Sequence, residues 1–411
     1  MLLHAAPAKS AHRDGNVLRW LGAYTASVTG DVVYFLVLSW AVARIAGPAE
    51  VGLVLAAGAV PRAVLMLAGG VVAARFGPRR VVLLSDLVRC LAILAAAGIA
   101  LTGGGLWPLV AVAVVFGAVD ALFMPAVGAL PPLLTDARQL TRVQALRSLS
   151  IRFSNAAGPL LAALVLTAAG APAGFALSGA LFAVSLVLLW NVSVSRRGTE
   201  SPVAQEGAKG APRRGGAWTD LRDGLRHIRR ERGLLPLVAV IGLGEMCFSG
   251  PVGAGLVLLA DERGWSAGVL GATLSAFSVG GAVSGLALVA VRRVRRPALV
   301  MALSLSAAGI LVAATGLAAS AGLAIGFSGA LGLVSGVAMV VGAGELQTRT
   351  DPRYLGRVTA VTTLCTLGLS PILLPLAGLV SARFGTGVFF LGCAVVCLLA
   401  AGIAAGTRNR G

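Results

Sequence analysis

Apolar runs of about 18–25 residues recur along the whole chain, and each is long enough to cross a hydrocarbon layer roughly 30 Å thick. They fall at 18–44, 50–74, 80–101, 106–127, 147–168, 173–195, 234–259, 266–291, 298–319, 321–344, 358–380 and 384–405. Within lipid every backbone N–H and C=O must find its partner inside the segment, so runs of this length are helices. The alternation of a transmembrane barrel is absent. The expected fold is therefore all-α and integral to the membrane, with twelve spans. Charged residues make up 12% of the 411 residues, about half of what a soluble domain carries.

The basic excess, 34 Lys+Arg against 16 Asp+Glu, invites a nucleic-acid reading, but the placement of the charges excludes it. Twenty-nine of the 34 lie in the two terminal tails, in alternate connections on one side, or in the ends of the spans that adjoin them. The connections on the other side hold only Arg44, Arg263 and Arg383. That is the asymmetry expected when the basic side faces the cytoplasm, and it puts both termini inside. The expected location is a bacterial-type inner membrane. Residues 1–17 are polar and the run that follows is too long for a cleavable leader, so the first span is read as its own insertion signal. The five cysteines lie within spans with no framework spacing and read as small core residues.

The longest interruption of hydrophobicity, 196–233, divides the chain into a six-span half (1–195) and a second six-span half (234–411). Up to Gly216 the interruption reads as flexible linker. From Ala217 to Arg232, Trp218, Leu221, Leu225 and Ile228 repeat at helical spacing between arginines, which predicts a basic amphipathic helix lying on the inner membrane face or packed on the bundle. The halves look duplicated. Thr135-Asp136-Ala137-Arg138-Gln139-Leu140-Thr141-Arg142-Val143 follows span four, and Thr350-Asp351-Pro352-Arg353-Tyr354-Leu355-Gly356-Arg357-Val358 follows span ten, with six identities in nine positions. Gly158-Pro159 in span five faces Ser370-Pro371 in span eleven. Parallel six-helix repeats are a recurring transporter plan, with the cargo site at their interface.

The connection between spans two and three, Gly69-Gly70-Val71-Val72-Ala73-Ala74-Arg75-Phe76-Gly77-Pro78-Arg79-Arg80, resembles the signature loop of the major facilitator superfamily, G-x-L-A-D-R-x-G-R-R. Ala74 stands where that signature has its Asp, which weakens the loop's charge relay, and Asp86 with Arg89 one turn later is a candidate substitute. Gly30-Asp31, the stretch from Asp120 to Ala126, Leu130-Pro131 and the approach to span seven are similar to the macrolide-efflux and siderophore-export branch. Gly158-Pro159 is part of that superfamily's antiporter motif. The resemblance implies a monomeric carrier whose cavity is lined by spans one, four, seven and ten, and whose inner gate is built by the signature loop (Gly70, Arg75, Gly77, Arg79, Arg80), by Asp86 and Arg89, and by the two repeated motifs (Asp136, Arg138, Arg142; Asp351, Arg353, Arg357).

Charge inside a bilayer costs about 2.5–3.5 kcal/mol per residue on insertion scales, so each retained charge is a candidate for function. By helical rise, Asp31 and Arg62 lie at the same depth and are expected to pair, either as a proton-coupling couple or as a structural one. Glu245 lies near the midplane of span seven, Asp120 near the inner end of span four, and Glu345 at the inner end of span ten. No metal site is expected from His4, His12 and His227, no phosphate loop precedes Lys9 or Lys209, and no cofactor or enzymatic activity is expected. The spans are rich in Ala, Val, Leu and Gly and poor in Asn, Gln and Tyr. A nutrient site needs several hydrogen-bonding side chains at mid-depth, so the reading favours proton-driven export of amphipathic or lipophilic molecules. Uptake of a small polar nutrient is the alternative. Small-molecule cargo, protons and the lipid bilayer are the expected partners.

Overall fold

The structure, a computed structural model, describes residues 14–135, 137–192, 217–231, 233–290, 294–351 and 354–407. It is helical throughout these segments, as the apolar runs require. The first half comprises α1 (Gly15–Ile45), α2 (Pro48–Phe76), α3 (Pro78–Leu101), α4 (Leu106–Gly128), a single turn α5 (Pro131–Leu134) and α6 (Ala137–Trp190). The amphipathic helix predicted between the halves is α7 (Ala217–Arg230). The second half comprises α8 (Leu234–Gly250), a π-turn at Pro251–Gly255 running into α9 (Leu256–Glu262), and then α10 (Ala267–Ala290), α11 (Pro297–Gly316), α12 (Ala321–Arg349), α13 (Leu355–Phe384) and α14 (Thr386–Thr407).

Among the described residues, ten helical stretches are long and apolar enough to cross a membrane. One of them, α6, is broken at Gly170, whose φ of 75° a residue with a Cβ adopts poorly, so it makes two passes. In α13 a shorter apolar stretch runs over Ile372–Phe384, and the arrangement is consistent with the twelve runs of the sequence. Turns are short and locally encoded. Asp14 and Ser320 cap α1 and α12 with side-chain oxygens, and Pro48, Pro78 and Pro297 open α2, α3 and α11 at a position where the missing N–H costs nothing. Gly77 alone joins α2 to α3, at φ 84°. Pro251 explains the π-turn: a ring that clashes with the preceding turn is relieved by widening the helix there.

The two halves repeat one another down to single contacts. A methyl on Gly117 of α4 would run into the carbonyl of Gly58 on α2, and one on Gly332 of α12 would run into the carbonyl of Phe277 on α10. Gly117 and Gly332 are 215 positions apart, the same shift that relates the two T-D-x-R-x-L-x-R-V motifs. Between the halves, Gly52 of α2 meets the carbonyl of Leu374 on α13 at 2.5 Å from an added Cβ, and Gly271 of α10 meets that of Pro159 on α6 at 2.5 Å. Leu374 is 215 positions beyond Pro159, and Gly271 is 219 beyond Gly52, so each inter-half contact is the other's image. Absent side chains at these points let helices approach closely where lipid gives no hydrophobic push. α7 packs on the start of α13. Ile228 is buried, His227 stacks on Tyr354 with ring centres 4.2 Å apart, and Asp223 lies 3.9 Å from Arg357. Of the two placements left open for this helix, packing on the bundle is the one described.

Candidate functional site: a central cavity beside a buried charge network

A cavity of about 450 Å³ lies between the halves. Its wall comes from α1, α2, α6, α8 and its π-turn, α9, α10 and α13, and is mostly apolar: Val32, Phe35, Leu55, Met66, Val257 and Phe277 are typical. Polar groups are few, namely Ser39, Arg62, Asn155, Ser249 and Ser278. Pro159 lines it from α6, and the neighbouring Gly158 makes room for Val32, whose Cγ1 would lie 2.7 Å from a Cβ there.

Against this wall, inside the first half, sits a charge network that the sequence reading divided differently. Arg89 on α3 is fully buried. Its Nη1 donates to Asp31 on α1 at 3.1 Å and to Asp120 on α4 at 3.2 Å. Its Nη2 donates to the Ser27 hydroxyl at 3.0 Å and to Asp86 one turn earlier. Ser185 on the second pass of α6 donates to the other Asp86 oxygen at 2.6 Å. The guanidinium lies over the Phe123 ring at 3.8 Å and near Phe182 at 4.7 Å, a cation–π setting that partly replaces lost hydration. Arg62, the cavity-lining arginine, bonds Asp120 through Nε at 2.9 Å.

The expected Asp31–Arg62 pair is therefore corrected. Equal depth was the right criterion, but Arg89 reaches the same level from α3 and takes Asp31, while Arg62 turns to Asp120. Asp86 and Arg89, assigned from sequence to the gate and the signature loop, bond inward to α1, α4 and α6. Their signal was visible: an acid and a base three residues apart in the interior of an apolar span, where each needs a partner. Ser27, Ser185 and Phe123 carried no such mark. Of Asp31, Arg62, Asp120 and Glu245, only Arg62 lines the central cavity. Glu245 lines a different cavity within the second half, and its carboxylate makes no hydrogen bond or ion pair among the described residues.

Arg79 donates to the carbonyl of Trp190 at 2.9 Å and Arg19 to that of Asn191 at 3.2 Å, so two guanidiniums hold the C-terminal end of α6, where exposed carbonyls carry partial negative charge. Arg75 lies by Phe76, and Arg80 is exposed. Gly70 lies within α2. Arg142 is exposed on α6, Arg357 faces Asp223, and Asp351 is exposed. Arg138 begins α6, with its side chain outside the described set. Asp136 and Arg353, and the linker over 193–216, lie outside the described residues. Glu345 pairs with Arg349 at 2.5 Å. Among the described residues there is no cluster able to hold a metal, and Cys90, Cys247, Cys393 and Cys397 are free and buried.

The fold is a bundle of apolar helices closing around an interface cavity, with paired charges at its side. The Major Facilitator Superfamily model matches residues 20–289, more than half of the sequence, and the chain belongs to that family, which makes it a membrane transporter rather than an enzyme. Similar solved structures include a nucleoside transporter, NupG (TM-score 0.72, 13% identity, covering 96% of this chain and 99% of that one). Others are the POT family transporter PepTSo (0.71, 12%, 97% and 98%) and a bacterial metal transporter (0.69, 15%, 96% and 99%). At such identities the likeness is one of fold. No curated protein matches the sequence.

Proposed function

We propose that this transporter exports small amphipathic or lipophilic molecules, of drug or siderophore type, across the inner membrane in exchange for protons, with both termini and the 196–233 connection on the cytoplasmic side. One observation carries the reading: Arg62 is at once part of the central cavity wall and, through Asp120, joined to Arg89 and Asp31. Cargo that disturbs Arg62 thus disturbs the whole network. Three carboxylates face two guanidiniums there, leaving one negative charge in excess, and a single proton neutralises it. Asp31 is the group we assign to that proton, because its side chain is 19% exposed while Asp86 and Asp120 are almost sealed. Burial favours the neutral acid and a nearby guanidinium favours the ion, so a change in either between inward and outward states moves the proton. The apolar wall supports a lipophilic cargo.

The test is transport by purified protein in liposomes against a panel of drugs and siderophores, comparing wild type with Asp31→Asn. The expected result is cargo movement driven by a pH gradient in the wild type, and in Asp31→Asn retained binding with driven movement lost. Normal driven export in Asp31→Asn would move the coupling role to Glu245. Gradient-driven accumulation of polar nutrients in the opposite direction would replace export by uptake.

A further inference from the structure

The repeat relating the halves sets Gly30-Asp31 of α1 against Gly244-Glu245 of α8, 214 positions on. The surroundings of the two acids then diverge. Pro78 and Pro297 open α3 and α11, which places Leu305 opposite Asp86 and Ala308 opposite Arg89. The 215-position shift between α4 and α12 places Ser335 opposite Asp120 and Ala338 opposite Phe123. Every group that fills and neutralises the first-half site is small or apolar in the second half, and α11 carries no charged residue from Pro297 to Gly316. Where the first half has the Arg89 guanidinium, the second has a cavity of about 330 Å³ between α8, α11, α12 and α13. Glu245 is its one charged wall residue among the described residues, with Phe248, Met301, Leu305, Met339 and Ala338 around it and Gln347, Thr359 and Thr362 among its polar neighbours.

We infer that this second cavity binds an organic monocation, an ammonium or amidinium head on a small apolar body, with Glu245 as its counter-ion. The ligand's cation takes the place that Arg89 holds permanently in the other half. A planar amidinium or guanidinium head suits a carboxylate because it donates two parallel hydrogen bonds. The Phe and Met walls suit the apolar body, since thioethers and rings pack adaptably on aromatic groups. Among the described residues the site shares no wall residue with the central cavity, so it stands whether cargo moves out or in.

The experiment measures equilibrium binding, without any gradient, of benzamidinium and of its neutral isostere benzamide to the full chain in lipid nanodiscs. Wild type is expected to bind benzamidinium at least about tenfold more tightly than benzamide. In Glu245→Gln that preference is expected to vanish. Ala338→Phe, which restores the ring found at Phe123 and narrows the cavity, is expected to weaken both ligands. Equal affinity of wild type for the two probes, no benzamidinium binding, or an unchanged preference in Glu245→Gln would each overturn the assignment and leave Glu245 a proton site. Because no gradient or direction enters the measurement, its failure is separable from failure of the export reading.

Discussion

Replacing Arg89 by methionine removes the one cation that three carboxylates share while keeping much of the side chain's volume. Arg89 is fully buried and donates to Asp31 at 3.1 Å, to Asp120 at 3.2 Å, to Asp86 and to the Ser27 hydroxyl. Breaking a buried ion pair by deleting one partner costs about 3–5 kcal/mol, because the remaining charge stays desolvated and unpaired. Asp31 and Asp86 would both be stranded while Asp120 keeps Arg62, so the loss is expected at the upper end of that range. Arg62→Met is the internal comparison. Its side chain is 32% exposed and its one ion pair among the described residues is with Asp120, so a loss of about 1 kcal/mol is expected for a partly solvated pair. Reversible unfolding by dodecyl sulfate in mixed micelles reads both. Adding Asp86→Asn to Arg89→Met removes one stranded charge, and coupling between groups in contact runs to about 0.5–3 kcal/mol, so part of the stability should return. A loss below about 1 kcal/mol for Arg89→Met, or no recovery in the double variant, would refute the view that Arg89 neutralises this site.

Two further expectations follow from the packing and the charge pattern. Gly117→Leu and Gly332→Leu should each lower the heat stability of the detergent-solubilised protein strongly, by about 3 kcal/mol or more as severe overpacking does, since the added Cβ meets a neighbouring carbonyl in both; Gly98→Leu, with open space around it, is the control and should change little. On a background without native cysteines, an impermeant thiol reagent applied to intact cells should label Arg263→Cys and not Arg230→Cys, and the reverse pattern would invert the proposed orientation.

The crossings were legible because their cause is local: an apolar run of fixed length needs no knowledge of its neighbours to be a helix in lipid. The break at Gly170, between the runs 147–168 and 173–195, was legible for the same reason, and so was α7, whose apolar and basic faces alternate at helical spacing; the π-turn at Pro251 falls inside a run read as continuous. Charge partners were less so. Depth along a helix follows from counting residues, but the direction a side chain faces around its axis depends on how neighbouring helices are rotated. Asp31 and Arg62 share a level, yet Arg62 faces α4 and the cavity while Arg89 faces α1. Asp86 and Arg89 lie close to the signature loop in sequence, yet their side chains bond to α1, α4 and α6.

The halves have kept their backbone contacts and changed their polar interiors, and the physics of each explains the difference. Glycine-to-carbonyl contacts at Gly117 and Gly332, or at Gly52 and Gly271, tolerate no side chain, so both copies must retain them for the helices to meet. A buried acid has more than one solution. The first half supplies its own cation and seals it under Phe123 and Phe182, which fixes the charge count and leaves a proton as the variable. The second half supplies none and leaves Glu245 at the edge of an open cavity. An isolated charge there costs about 2.5–3.5 kcal/mol, a cost that either a proton or an arriving cation removes. Two acids related by the repeat can thus answer to different ligands, and only an assay that separates charge from shape tells them apart.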